Sequence, residues 1–128
     1  MPLVRIDLHE GYTKEEINNL SDAIHEVLVK TFSTPDKDRL HIFTEHKIGY
    51  IVAHDLGLGY TRSEKVLFLQ IVQQGRTREQ KQEMYGAMCA RLEVLGIQPA
   101  DLLISVTENT KEDWSFGMGK AQFLTGEL

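Results

Sequence analysis

The sequence predicts an α/β domain of two β-α-β repeats, with a four-stranded, mainly parallel or mixed sheet and two helices on one of its faces. Three observations predict it. Two capping-box signatures, Thr13-Lys14-Glu15-Glu16 and Thr77-Arg78-Glu79-Gln80, stand 64 residues apart. Each follows an apolar run and a turn, and each opens a helical stripe. The apolar runs keep the same spacing, since Leu3 and Leu67 are also 64 residues apart.

The elements follow in order. Residues 3–8 (LVRIDL) alternate as a half-buried strand does. Gly11 supplies a turn. Thr13 caps the first helix by accepting from its first turn, and Glu16 reaches back to the threonine N–H. Ile17, Leu20, Ile24, Val27 and Leu28 then share one face. Residues 40–44 read as the second strand and residues 66–72 (VLFLQIV) as the third. The helix after Thr77 carries Met84, Ala87, Met88, Leu92 and Leu95, with Arg91 tolerated because its stem can lie on apolar surface. Gly96 stands where a C-terminal cap belongs. Residues 102–107 (LLISVT) form the last long strand. The repeat halves fall at about residues 2–62 and 63–128 of a single domain.

Repeats of this length require parallel strand pairs with right-handed crossovers. With both helices on one face, the other face is expected to carry Val, Ile and Leu with nothing over it. Parallel sheets are usually covered on both sides. Self-association through the bare face is therefore expected.

Composition narrows the function. Fourteen Lys and Arg against 19 Asp and Glu give a net charge of −5, with no basic cluster, so nothing favours nucleic acid. The single cysteine, Cys89, excludes an intramolecular disulfide. Set between apolar positions of the second helix, it reads as a small buried hydrophobe. The first seven residues lack the basic-then-apolar pattern of a signal peptide, and no apolar run reaches the length of a membrane span. A cytoplasmic protein without a membrane partner is expected. His41, His46 and His54 are close in sequence, but the first two fall on opposite strand faces. No acid or cysteine beside them completes a zinc spacing, so neither metal nor cofactor is expected. Residues 55–60 (DLGLGY) hold glycines but no phosphate-loop lysine and read as a turn.

Chemistry starts at Pro2. A small residue after the initiator favours removal of Met1, which leaves a rigid secondary amine. A free α-amino group titrates near pH ~7.7–8.0, and apolar surroundings or a nearby cation lower that value. Neutral, such an amine is a general base; protonated, it is an acid. Proline after methionine also occurs without any such role. Arg76 stands between the third strand and the second helix, and a guanidinium fork suits a carboxylate. Asp38 lies in a Thr-Pro-Asp-Lys-Asp segment, where a turn or cap role is equally natural.

Pro2 leading into a capped β-α-β repeat resembles the tautomerase superfamily. Three stretches resemble its malonate semialdehyde decarboxylase branch: Pro35-Asp36-Lys37-Asp38-Arg39; Gly75-Arg76-Thr77-Arg78-Glu79-Gln80-Lys81; and Glu112-Asp113-Trp114-Ser115-Phe116-Gly117 with Ala121-Gln122-Phe123-Leu124-Thr125-Gly126. The resemblance covers nearly the whole chain. It implies a homotrimer and a catalytic N-terminal proline. Asp38 would work with the proline on substrate or water, and Arg76 would bind the substrate's carboxylate and carbonyl oxygens. Trp114, Phe116, Phe123 and Leu128 would form an apolar wall around the proline. The branch carries Arg-Pro-Arg where this chain has Gln74-Gly75-Arg76, so Gln74 supplies a hydrogen-bond donor but no charge. The implied substrate is a small 2-oxo or 3-oxo carboxylic acid. The implied reaction is enol–keto tautomerisation, or decarboxylation or hydration of the malonate semialdehyde type. The alternative is a non-catalytic trimeric binding or signalling protein, as macrophage migration inhibitory factor exemplifies on this architecture.

Overall fold

The computed structural model describes residues 2–128, so the fate of Met1 lies outside the described residues. Strand β1 (Leu3–His9) leads into helix α1 (Lys14–Phe32) and strand β2 (Leu40–His46). The second half repeats this with β3 (Leu67–Gln74), α2 (Arg78–Val94) and β4 (Leu102–Asn109). A four-residue helix, α3 (Gln122–Thr125), closes the chain. The sheet order is β2-β1-β3-β4. β1 pairs parallel with β2, β3 pairs parallel with β4, and the halves join through antiparallel β1–β3. The sheet is therefore mixed.

Both expected capping boxes are formed. Thr13 Oγ1 accepts from the Glu16 N–H at 3.1 Å, and Glu16 Oε1 accepts from the Thr13 N–H at 2.9 Å. Thr77 and Gln80 repeat the pair at the same two distances. Gly96, at φ +92°, ends the α2 segment. The Ile97 N–H reaches back to the Leu92 carbonyl and the Gly96 N–H to Glu93, the paired bonds of a Schellman cap. The turn at residues 55–60 is drawn in by Asp55, whose carboxylate accepts the Gly57 and Gly59 N–H groups at 3.1 and 3.2 Å.

One core lies between sheet and helices. Val4, Ile6 and Leu8 of β1 and Leu67, Leu69 and Ile71 of β3 meet the apolar stripes of both helices. All five expected α1 positions are buried, but α2 buries only Met84, Met88 and Leu92. Cys89 is half-buried, beside Pro99, Leu102 and Ile104, rather than sealed in the core.

The uncovered face corrects the expectation of a Val, Ile and Leu surface. Alternation from the buried residues puts Leu3, Leu40, Ile42, Phe68, Val72 and Leu103 there, but also Arg5, Asp7, Thr44, Gln70, Ser105 and Thr107. The strand pattern has period 2, and on this face polar residues hold the middle of β1, β3 and β4. Asp7 accepts from His46 Nε2 at 2.7 Å across it.

Candidate active site

Register gathers one end of the sheet. Leu3 pairs with Leu40 and with Val72, so the start of β1 meets the start of β2 and the end of β3. Gln74 in turn pairs with Asn109 at the end of β4. Pro2 before β1, Asp38 before β2, Gln74 and Arg76 at the end of β3, and the segment after β4 therefore share this end. Tyr60 and Arg62 do not. Arg62 donates to the His54 and Ala100 carbonyls and stacks 5.9 Å from the Tyr60 ring, bracing the loop at the other end.

Arg76 is the fixed point of the site. Its Nε donates to the Phe32 carbonyl at 2.9 Å, and its Nη1 donates to the Gln74 and Gly75 carbonyls, each at 2.9 Å. Its guanidinium lies 5.6 Å from the centre of the Phe32 ring. Burial pulls its pKa below the usual arginine value, yet a guanidinium keeps its charge in a protein. Those bonds leave the two Nη2 hydrogens for a ligand. A cleft of about 500 Å³ opens here, walled by Gln74, Gly75, Arg76, Glu108, Asn109, Thr110 and Lys111. Glu108 is paired with Lys81 of α2, which holds its carboxyl below the ordinary range. The cleft thus keeps Arg76 and Lys111 as cations that no carboxylate neutralises among the described residues.

The remaining expected residues separate. Pro2 is buried and Asp38 half-buried, and neither is on the wall of this cleft. The backbone N–H of Asp38 closes a turn on the Pro35 carbonyl at 2.9 Å. Trp114 and Phe116 stack at 5.2 Å, and Phe123 meets Phe116 edge-on at 5.4 Å, so three of the four expected wall residues form one cluster. Leu128 is 60% exposed, and its N–H donates to the Gln122 carbonyl at 3.2 Å. Arg78 is exposed on the first turn of α2.

Some of the site escaped the sequence reading. Asn109 Oδ1 accepts from the Trp114 indole at 2.9 Å and so ties the aromatic cluster to the cleft. Thr110 and Asp113 form a third small capping box. Its threonine-to-acid spacing of three was the available signal. Nothing local marks Asn109 or the Phe32 carbonyl.

Comparison with known proteins shows the family. Two family models described as "Tautomerase enzyme" match residues 38–117 and residues 2–60. The chain belongs to the tautomerase family. It is 42% identical over 129 residues to Probable tautomerase YrdN of Bacillus subtilis (strain 168), covering 100% of both. A crystal structure of malonate semialdehyde decarboxylase, solved as wild type, with its leading proline changed to alanine, and inactivated, superposes with a TM-score of 0.95. It is 41% identical and covers 98% of each chain. FG41 malonate semialdehyde decarboxylase inhibited by 3-bromopropiolate is 42% identical with the same TM-score, covering 98% of this chain and 97% of that one. A fused 4-OT described as a symmetric trimer shares the fold at 17% identity and a TM-score of 0.79, covering 97% and 98%.

Proposed function

We propose that the chain is a cofactor-independent enzyme whose Pro2 amine, freed by loss of Met1, acts on small 2-oxo or 3-oxo carboxylic acids. The observation that carries this reading is the register, which sets Pro2, Asp38, Gln74 and Arg76 at one sheet end. The likeness to malonate semialdehyde decarboxylase along nearly the whole chain supports it.

The chemistry follows from the charges. In decarboxylation, Arg76 Nη2 and a protonated Pro2 polarise the 3-oxo group. The bond between C2 and the carboxylate carbon breaks, its electrons pass into the polarised carbonyl as an enolate, carbon dioxide leaves, and C2 takes the Pro2 proton to give the aldehyde. In hydration of an acetylenic or olefinic acid, Asp38 places the water and takes a proton from it as its oxygen bonds to C3, while the π bond breaks and protonated Pro2 gives its proton to C2. In tautomerisation, a neutral Pro2 takes the enol proton and returns one to carbon. A homotrimer formed through the uncovered sheet face, working in the cytoplasm, completes the reading.

The test is a panel of phenylenolpyruvate, malonate semialdehyde and acetylenic acids, on protein whose intact mass shows that Met1 is gone. Pro2→Ala should lower turnover of whichever substrate is used by about 10²–10⁴-fold, the usual weight of a placed acid or base. Wild-type turnover by Pro2→Ala, or saturable carboxylate binding without turnover of any panel member, would sink the proposal.

A further inference from the structure

A buried atom with no partner stands beside the working end of β1. Gln73 is the penultimate residue of β3 and is 0% exposed. Its Nε2 donates to the Gln74 carbonyl at 3.1 Å. That bond fixes which end of the amide is nitrogen, because a carbonyl cannot face another carbonyl oxygen. Gln73 Oε1 is therefore the acceptor end, and it has no hydrogen-bond partner among the described residues. Buried acceptors are nearly always satisfied, so an orphan asks for a donor.

The register says where one can come from. Leu3 and Val72 are the last antiparallel pair of β1 and β3. One step further sets Pro2 against Gln73. Residues directly opposed in such a pair bring their Cβ atoms to about 4.5–5.5 Å. Both alternate onto the helix-covered side, and both are buried. In the encoded chain the Pro2 nitrogen carries no hydrogen. Loss of Met1 turns it into a secondary amine with one N–H when neutral and two when protonated.

Resting on the reading of Pro2 as the reactive amine, we propose that Gln73 is its positioning residue: the side-chain carbonyl accepts an N–H of the processed terminus and favours its protonated form. A hydrogen bond from an ammonium is stronger than one from a neutral amine, so the contact raises the pKa of the amine. The second N–H stays available for substrate. The balance tips toward the acid role, and so toward decarboxylation and hydration over base-driven enol ketonisation. The other ionisable groups at this end include Lys37, Asp38, Arg39 with its partner Asp22, His25 with Asp36, His41 beside them, Arg76, Lys111, and Glu108 with Lys81. None of them changes when Gln73 is replaced.

The experiment is an NMR titration of ¹⁵N-proline-labelled, Met1-free protein, following the Pro2 amine in wild type, Gln73→Met and Gln73→Glu. Gln73→Met keeps the shape without the acceptor, and should lower the midpoint by about one pH unit. Gln73→Glu keeps the acceptor and adds charge, and should raise it. The pH profile of kcat/KM should move in step. If Gln73→Met does not fold, Gln73→Glu decides alone. An unmoved midpoint in the folded variants overturns the role of Gln73, even with Pro2→Ala inactive. A shifted midpoint with Pro2→Ala fully active keeps the contact and defeats the catalytic reading instead.

Discussion

Arg76 spends three of its N–H groups on the main chain before any ligand arrives. This makes it rigid and leaves only Nη2, so it can grip a carboxylate from one corner but not with the full fork that makes arginine pairs strong. Gln74 beside it adds no charge. Gln74→Arg should therefore raise kcat/KM for malonate semialdehyde, while leaving phenylenolpyruvate ketonisation little changed. A charge-assisted hydrogen bond of about 1.5–3 kcal/mol implies about a 10- to 100-fold gain. Equal gains on both substrates, measured by steady-state kinetics, would count against a role for charge here. Arg76→Ala should lose activity and stability together, because it orphans the Phe32 carbonyl. The sequence marked Arg76 through its place between strand and helix. It could not mark the carbonyl 44 residues away that holds it, because that contact exists only after folding. Gln73 was passed over for a related reason: a polar residue past the apolar run looks like the end of the strand.

Legibility was highest in the helix starts. A capping box is a contact between residues three apart, so its signature is complete in the sequence. Strand ends were read short. β2, β3 and β4 each run two residues past the expected stop, through Glu45 and His46, Gln73 and Gln74, and Glu108 and Asn109. Apolar patterning ends there, but pairing uses backbone groups and continues. The extra residues of β3 and β4 border the candidate site, whereas Glu45 and His46 extend β2 at the opposite sheet end, so the misreading of two strands hid part of the chemistry. Thr13→Ala and Thr77→Ala should each cost about 1 kcal/mol of stability. The caps sit on different helices, so the double variant should cost nearly the sum. Urea unfolding followed by circular dichroism measures both, and an undiminished Thr77→Ala midpoint would show that the second box is decorative.

The two-faced sheet governs the whole molecule. Its uncovered side leaves Leu40 and Ile42 of the outer strand 39% and 40% exposed in the single chain. Ile42→Lys should shift the particle toward monomer by light scattering, if that face joins subunits. An unchanged mass would move the interface elsewhere. The covered side predicts a pH limb. His41 is pushed down from 6.5 to about 4, by burial first and then by the charges of Arg39 and His25. Its Nδ1 lies 2.7 Å from Ser21 Oγ of α1, with Asp22 nearby. The unfolded chain takes up this proton before the folded one does. Stability should therefore fall as pH drops from about 6.5 to about 4 and not change further from this group below that. His41→Gln should flatten that limb in denaturant titrations.

The antiparallel β1–β3 joint relates the halves by an approximate two-fold, under which Pro2 maps onto Val66 at the opposite end of the sheet. The same 64-residue shift replaces Asp38 by Leu102 and Arg76 by Tyr12. The scaffold thus has two like ends, but the residues of the proposed site occur at one of them. On the proposed reading of Pro2 as the reactive amine, a covalent inactivator of that amine should label one site per polypeptide despite the symmetry of the fold.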